Sequence, residues 1–456
     1  MQAIMVWGEN SGFIPMTCTQ KLRSSEHITA SDTICPVTEE DIPDGGTRAW
    51  LVAFGSSISL VATFGIVNSY GVFQKYYMNT LLSTSSSSTI SMIGSVQPFL
   101  IYGLGPIVGT FFDAYGTLLL FPLGSCIVVS SLVILSFCQE HQVYQFFLVH
   151  GVVFGIGTAM IFNPALTVLG QWFRRKRAFA LGIAGAGGSL GGLVLPILLQ
   201  SLIHRIGFPW AVRVLALTAM VHLVIACLTV RTRIPLKRST TWRTMIDVQG
   251  FRDVQYTLAA VGAFLYFLGF FIPYFYIEVY AIHRGMSEEL SAYLPAIVNG
   301  FGFIARLVTG VLADKFGVLN LSIPSSFLSG ALVLMLWLPA RGGTSIVAFS
   351  ALYGFFSGPF LSLLPAYIAS RSPADKFGAR LGSIYVGVAF ATFTGPVIAG
   401  ALVPMVTQSN FNKLIVFTGV MLISGGLMLA LAHAKTLLEK RRLLPRSTSE
   451  DQIHER

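Results

Sequence analysis

The sequence predicts an all-helical integral membrane protein whose twelve spanning helices form two pseudo-symmetric bundles of six. Three observations point there. Only 11% of the 456 residues are charged and 54% are hydrophobic, with a mean hydropathy of +0.70. Twelve apolar runs are long enough to cross a bilayer. The second six repeat landmarks of the first.

Soluble globular chains carry about 25% charged residues. So few charges cannot coat a soluble particle of this length, so most of the surface must face lipid. The net charge of +10 does not indicate nucleic acid, because the basic residues fall in short loops rather than on an aromatic-interleaved face. Cys18, Cys35, Cys126, Cys138 and Cys227 are scattered without a CxxC or a paired framework. Neither disulfides nor a metal site is expected, and no cofactor. Residues 1–48 read as a disordered cytosolic tail. Their one apolar stretch, Ala3 to Trp7, is shorter than the roughly 7 to 15 residues of a signal-peptide core.

A ~30 Å hydrocarbon core needs about 20 mostly apolar residues per helix. Candidate spans lie at 49–72, 90–112, 116–138, 144–170, 178–203, 209–231, 255–281, 290–312, 319–339, 344–370, 380–404 and 412–434. Their internal Gly and Pro are tolerated in a bilayer, where neighbouring helices satisfy the freed backbone groups. With the amino terminus inside, 23 Lys and Arg fall in inner segments and only Lys75, Arg205, Arg284, Arg341 and Lys413 in outer ones. That asymmetry places both termini in the cytosol and requires an even number of spans. The longest connection divides the runs into bundles at 49–231 and 255–434, with a cytosolic linker at 232–254 and a cytosolic tail at 435–456. Within the linker, Thr241 to Phe251 has the pattern of a short interfacial helix.

The repeat has a nearly constant offset. Gly109-Thr-Phe-Phe-Asp113-Ala-Tyr-Gly116 closes the second span, and Gly310-Val-Leu-Ala-Asp314-Lys-Phe-Gly317 closes the eighth, 201 residues later. Gly157 and Pro164 recur as Gly358 and Pro365 at the same offset, and Gly182 and Pro196 as Gly382 and Pro396 at 200. Six-span halves repeated in parallel, related by an axis along the membrane normal, mark one transporter architecture.

The doubled G-x-x-x-D-x-x-G resembles, in shortened form, the loop motif of the major facilitator superfamily. Asp44-Gly45-Gly46-Thr47-Arg48-Ala49-Trp50 at the first span is similar to a hallmark of its monocarboxylate porter branch, especially the fungal members. Trp172-Phe173-Arg174-Arg175-Lys176-Arg177-Ala178-Phe179, with Gly182, Gly185, Gly187 and Gly188 after it, resembles that branch's second hallmark. The resemblance covers residues 41 to 434. It implies the major facilitator fold, and makes Asp113 and Asp314 latches that close an inner gate against the Arg174, Arg175 and Arg177 loop and the Arg371–Arg380 loop. Two positions depart from the animal lactate carriers of this branch. Asn68 stands where they have a lysine, and Gly302 stands where an acid precedes the arginine equivalent to Arg306. Their proton-linked lactate chemistry does not carry over.

Among the intramembrane polar residues, Arg306 lies about six residues, or roughly 9 Å, from the inner end of its span. A buried charge there costs at least ~2.5 kcal/mol, which marks it as a candidate for binding an anionic group. Its alternatives are snorkelling to the inner headgroups or pairing with Asp314. Asn68, Gln97, Asn163 and Asn299 are candidates for lining a solute path, the alternative being interhelical hydrogen bonds. Glu278 is a candidate coupling-proton site. Tyr274 belongs to an aromatic run from Tyr266 to Tyr276 that offers a stacking wall for a hydrophobic solute. His150 and His222 read as structural. Gly182, Gly185, Pro196, Gly382 and Pro396 are candidate hinge and packing positions. Gly300-Phe-Gly302-Phe-Ile-Ala305 imitates a dinucleotide loop but lies within a span with no strand before it. The sequon Asn320-Leu321-Ser322 falls on the cytosolic side, where it would go unused.

These features predict a monomeric secondary transporter of a small organic solute, with or without a coupled proton, in the plasma membrane. Arg306 favours a monocarboxylate-like or other organic anion. The first alternative is efflux of a hydrophobic secondary metabolite, and the alternative of another class is a non-transporting membrane sensor. No Walker motif or catalytic constellation indicates an ATPase or any other enzyme.

Overall fold

The computed structural model describes residues 42–233, 248–372 and 377–443. Most of the tail expected over residues 1–48, of the interfacial helix at 241–251 and of the carboxy-terminal tail expected over 435–456 therefore lies outside the described residues; where described, Thr47, Arg48 and residues 435–443 are helical. Eight helices are bounded directly: α1 Thr47–Leu81, α4 Val143–Trp172, α7 Val254–His283, α8 Glu288–Phe316, α9 Val318–Trp337, α10 Gly343–Arg371, α11 Phe377–Leu402 and α12 Gln408–Leu443. Two glycines set the other four. Helix runs from Ser87 through Leu104, itself helical, until it breaks at Gly116 (φ 67°, ψ −167°), so α2 is 87–115 and α3 is 117–135. Arg177–Thr229 breaks at Gly207 (φ 76°, ψ 165°) into α5, 177–206, and α6, 208–229.

The twelve helices correspond one to one with the twelve expected spans. Two helices run nine residues past their expected ends: α12 continues to Leu443 instead of ending near residue 434, and α1 continues to Leu81 instead of ending near residue 72. Gln74 and Lys75 look too polar for lipid, but they face an internal cavity.

Gly116 and Gly317 end the two copies of the repeated motif, and both have positive φ, 67° and 93°, with extended ψ. That backbone region is open essentially to glycine alone, and a side chain there costs about 1–3 kcal/mol. Each glycine reverses the chain between packed helices within a single residue. Gly317→Ala is expected to destabilise the fold by about that amount, read as a lower midpoint in thermal unfolding. Gly342→Ala, at a negative φ with open space around it, should leave the midpoint nearly unchanged.

Within the first half, α1 lies on α5 with almost no side chain between them. A Cβ on Gly187 would meet the Ser57 carbonyl at 2.0 Å, and one on Gly191 the Val61 carbonyl at 2.5 Å. In the second half α7 lies on α12 through Gly262 and Gly425. Such small-residue contacts drive helix association where lipid removes the hydrophobic force. Helices α3 and α6 turn Leu118, Leu119, Leu123, Leu217, Val221 and Leu228 outward, the belt a bilayer requires. The two halves touch along α5 against α8 and α2 against α11. The start of α1 and the end of α12 share one face, here the terminal face, where Gln255 at the start of α7 donates to Glu439 of α12.

Candidate functional site

A cavity of about 640 Å³ enters between the halves. Its walls are the second half of α1 (Val67 to Thr80), the beginning of α2 (Gly94, Pro98) and the end of α5 (Pro196, Gln200, Ile203, His204). The end of α7 (Phe271, Tyr274, Phe275, Glu278) and the start of α8 (Glu288, Glu289, Pro295) complete it. All of these helix ends lie at the distal face, opposite the termini. The volume falls in the range of roughly 300–1,000 Å³ used for small organic ligands.

Charge is confined to the rim. Lys75 of α1 lies 3.6 Å from Glu278 of α7 and 3.2 Å from Glu288 at the start of α8, so three charges link the halves across the mouth. Sequence reading counted Lys75 only as an outer-loop charge, because nothing local signals a pairing across more than 200 residues. The Lys75 and Glu288 side chains are 42% and 72% exposed, and exposed pairs contribute about 0–1 kcal/mol. Lys75→Ala is therefore expected to change transport by less than about fivefold.

Deeper, the lining is apolar or amide. Tyr274 faces the space with Phe271, 6.2 Å away between ring centres. The aromatic run of α7 is thus divided by depth: Phe271, Tyr274 and Phe275 line the cavity, while Tyr266, Phe267 and Phe270 are buried in the protein core. Asn68 sits at the floor. The α1 helix loosens on either side of it, at Thr63 and Ser69, whose hydroxyls bond the carbonyls of Ser59 and Gly65 four residues back, a pattern that bends helices. The Asn68 amide donates to the Gly188 carbonyl of α5 and to Asn299 Oδ1 of α8, both at 3.3 Å. Asn299 is buried just behind the lining and in turn donates to the Pro295 carbonyl.

Gln97 and Asn163 do not line this cavity. Gln97 turns to the His150 carbonyl of α4 at 2.9 Å, and Asn163 to the Ile101 carbonyl of α2 at 3.0 Å, bonds that hold the first bundle together. His150 is buried against Tyr77, 3.0 Å from its hydroxyl, and His222 lies on the Thr218 carbonyl of its own helix.

Beneath the floor, rings from both halves close the centre. Tyr102 of α2 stands 5.1 Å from Tyr385 of α11, 5.5 Å from Phe162 of α4 and 5.6 Å from Phe267 of α7. Phe64 of α1 stacks on Phe162 at 5.0 Å. Of these five, only Phe267 belongs to the aromatic run singled out above; 35 Phe and 15 Tyr give no local sign that Phe64, Tyr102, Phe162 and Tyr385 converge on it.

Arg306 lies below that plug, 3% exposed, outside the cavity. Its Nε donates to the Gly358 carbonyl and Nη1 to the Gly185 carbonyl of α5, at 3.1 and 3.2 Å. Among the described residues no carboxylate forms an ion pair with it; the pairing with Asp314 considered above is not formed. It borders a separate void of about 10 Å³, room for about one water. At the repeat offset its counterpart is Gly105, so the symmetry of the halves breaks at this charge.

The terminal side is sealed by glycines. A Cβ on Gly182 would come 2.5 Å from the Arg306 carbonyl oxygen, one on Gly185 2.4 Å from Ser362 Oγ, and one on Gly382 2.9 Å from the Pro106 nitrogen. Gly182, Gly185 and Pro196 stand in unbroken helix, and Pro396 likewise lies inside α11. Asp314 completes the seal differently from the expected salt bridge. Its two oxygens accept from the Ala178 and Phe179 amides at 2.9 and 3.0 Å, at the first turn of α5. Those N–H groups lack intrahelical partners, and the helix dipole favours an anion there. Asp113, half-buried, occupies the equivalent place on α2, whose Gly109 abuts Gly378 at the start of α11.

The arginine loop is held by another acid. The Arg174 and Arg175 amides donate to Asp44 Oδ1, while the Arg177 Nε donates to the Phe173 carbonyl. Trp50 packs on Phe173 at 4.8 Å and on Phe179 at 5.7 Å. The two hallmark stretches, 122 residues apart from Trp50 to Trp172 at the nearest, are one structural unit.

Residues 49–345 and 304–455 match the Major Facilitator Superfamily. The chain belongs to that superfamily. An MFS transporter of Aspergillus flavus is 37% identical over 84% of this chain and 86% of its own length. An aspyridones efflux protein of Emericella nidulans is 37% identical over 85% and 78%, and a fujikurins efflux protein of Gibberella fujikuroi 35% over 89% and 86%. The crystal structure of a human organic anion transporter superposes with a TM-score of 0.67 at 14% identity, covering 84% of this facilitator and all of that chain; that likeness concerns the fold. The facilitator is a multi-pass membrane transporter and not an enzyme.

Proposed function

We propose that this facilitator exports a hydrophobic, largely uncharged secondary metabolite across the plasma membrane by alternating access, with both termini cytosolic. The observation that carries the reading is the cavity: its charges lie at the rim, its depth is aromatic, aliphatic and amide, and Arg306 stands outside it. An anionic solute seated there would meet no cation below Lys75. Relatives named as efflux proteins for aspyridones and fujikurins support export over uptake of a monocarboxylate. The joined Asp44–Trp50 and Trp172–Phe179 unit supports placement in the monocarboxylate porter branch for ancestry, separate from cargo. The excess of Lys and Arg on the terminal face supports the orientation.

A second reading, export of an organic anion, is favoured by Arg306, a buried cation without an ion-pair partner among the described residues. Metabolite profiles of a gene deletion and its parent, taken separately from cells and medium, distinguish the two. A neutral apolar compound retained in deleted cells and missing from their medium is the expected result. A carboxylate behaving that way supports the second reading, and a compound depleted from deleted cells contradicts export.

A further inference from the structure

We infer that Asn68 is a hydrogen-bond-acceptor subsite on the cavity floor that selects hydrophobic solutes carrying a neutral N–H or O–H donor. The inference rests on the hydrophobic-solute reading above and specifies its chemistry.

The orientation of the amide follows from its partners. The Pro295 carbonyl can only accept, so the Asn299 group facing it is the NH₂, and Asn299 Oδ1 therefore points to Asn68. The Gly188 carbonyl can also only accept. Both neighbours of the Asn68 nitrogen are oxygens, so that atom must be the donor; the reverse orientation would set oxygen against oxygen twice. The NH₂ is thereby occupied. Asn68 Oδ1 accepts no hydrogen bond from any described residue, and Asn68 lines the cavity.

The surroundings make that oxygen selective. Val67, Val72, Phe271 and Pro98 of the same lining supply neither acceptor nor donor side chains, and the hydroxyl of the adjacent Ser69 is given to the Gly65 carbonyl. An apolar solute that displaces water from the floor without offering a donor leaves the oxygen unpaired, which is costly in a dry site. A solute with a donor restores the bond. The charged rim is too exposed to discriminate among neutral molecules, so the choice falls to the floor. The subsite is also mechanically placed, because Asn68 links α1 and α5 of one half to α8 of the other, where a bound donor adds to contacts that join the halves.

Two compounds of nearly equal shape isolate the effect. Benzanilide has an amide N–H where phenyl benzoate has an ester oxygen. Their binding to the full-length protein in lipid nanodiscs is measured by equilibrium dialysis against empty nanodiscs. Benzanilide is expected to bind roughly fivefold tighter, the size of one net hydrogen bond. In Asn68→Leu that ratio should fall to near one because phenyl benzoate, no longer leaving an oxygen unpaired, binds more tightly than to the unmodified protein, which also certifies an intact cavity. Should Asn68→Leu not fold, Asn68→Ala is read in its place. Equal binding of the two compounds by the unmodified protein overturns the subsite and leaves the hydrophobic-cavity reading standing. A ratio that survives both substitutions overturns the assignment to Asn68. Failure of both compounds to bind the unmodified protein overturns both readings.

Discussion

Gly182→Val is expected to cut transport by roughly fivefold to a hundredfold while leaving the protein folded and membrane-inserted. The first added carbon would lie 2.5 Å from the Arg306 carbonyl oxygen and 3.5 Å from the Gly310 Cα. Neither is a side chain that can swing away, so α5 and α8 must separate on the terminal side. Forcing extra carbons into a packed contact costs about 1–3 kcal/mol, and each 1.4 kcal/mol shifts an equilibrium about tenfold. The sealed state seen here would become a minor one. Alkylation of a cysteine introduced at Ala313, buried in this state, should accelerate in the Gly182→Val background. Gly382→Val, whose Cβ meets the Pro106 backbone at 2.9 Å, should act in the same direction through α2 and α11. Undiminished transport in both variants would refute the glycine seal.

Asp314→Ala has the second largest expected effect, of the same sign. It removes two charge-assisted bonds from the first turn of α5, worth about 1.5–3 kcal/mol in such settings. Because the carboxylate belongs to one half and the amides to the other, the loss falls on the sealed state alone. Roughly tenfold or more of the population should move toward opening at the terminal face, read by the same alkylation assay. Asp314→Asn keeps one carbonyl oxygen to accept a bond and should lose less. Arg177→Ala should lose less than Asp314→Ala, because the carboxylate is hydrogen-bonded by the Ala178 and Phe179 amides and the nearby Arg177 charge adds a smaller attraction.

The twelve helices were legible in the sequence because spanning a bilayer imposes one strong local condition, a long apolar run, and the turns between motif-bearing helices require a residue such as Gly116 or Gly317. The repeat was legible for the same reason, since both halves need the same glycine contacts. Local patterns say less about which face of a helix meets which partner. Gln97 and Asn163 have the same composition signal as Asn68, yet only Asn68 lies where α1 loosens beside the cavity. Arg306 was visible as a buried charge, but its place beneath the aromatic plug depends on how α5, α8 and α10 meet. The acid that would latch the arginine loop was sought in the repeated motif and found in Asp44, at the other end of a contact that no spacing rule encodes. The monocarboxylate expectation rested on the presence of Arg306, and presence does not fix position: the arginine lies outside the cavity.

The central claim is that the two halves must part on the terminal side for solute to pass. The Cβ of a residue replacing Gly103 on α2 would lie 3.4 Å from the Ala389 Cβ on α11, close to the ~3.5–4.5 Å that a disulfide requires. In the double variant Gly103→Cys, Ala389→Cys, oxidation should stop export of the compound retained by deleted cells, and reduction should restore it. Export that continues with the halves cross-linked would contradict the claim.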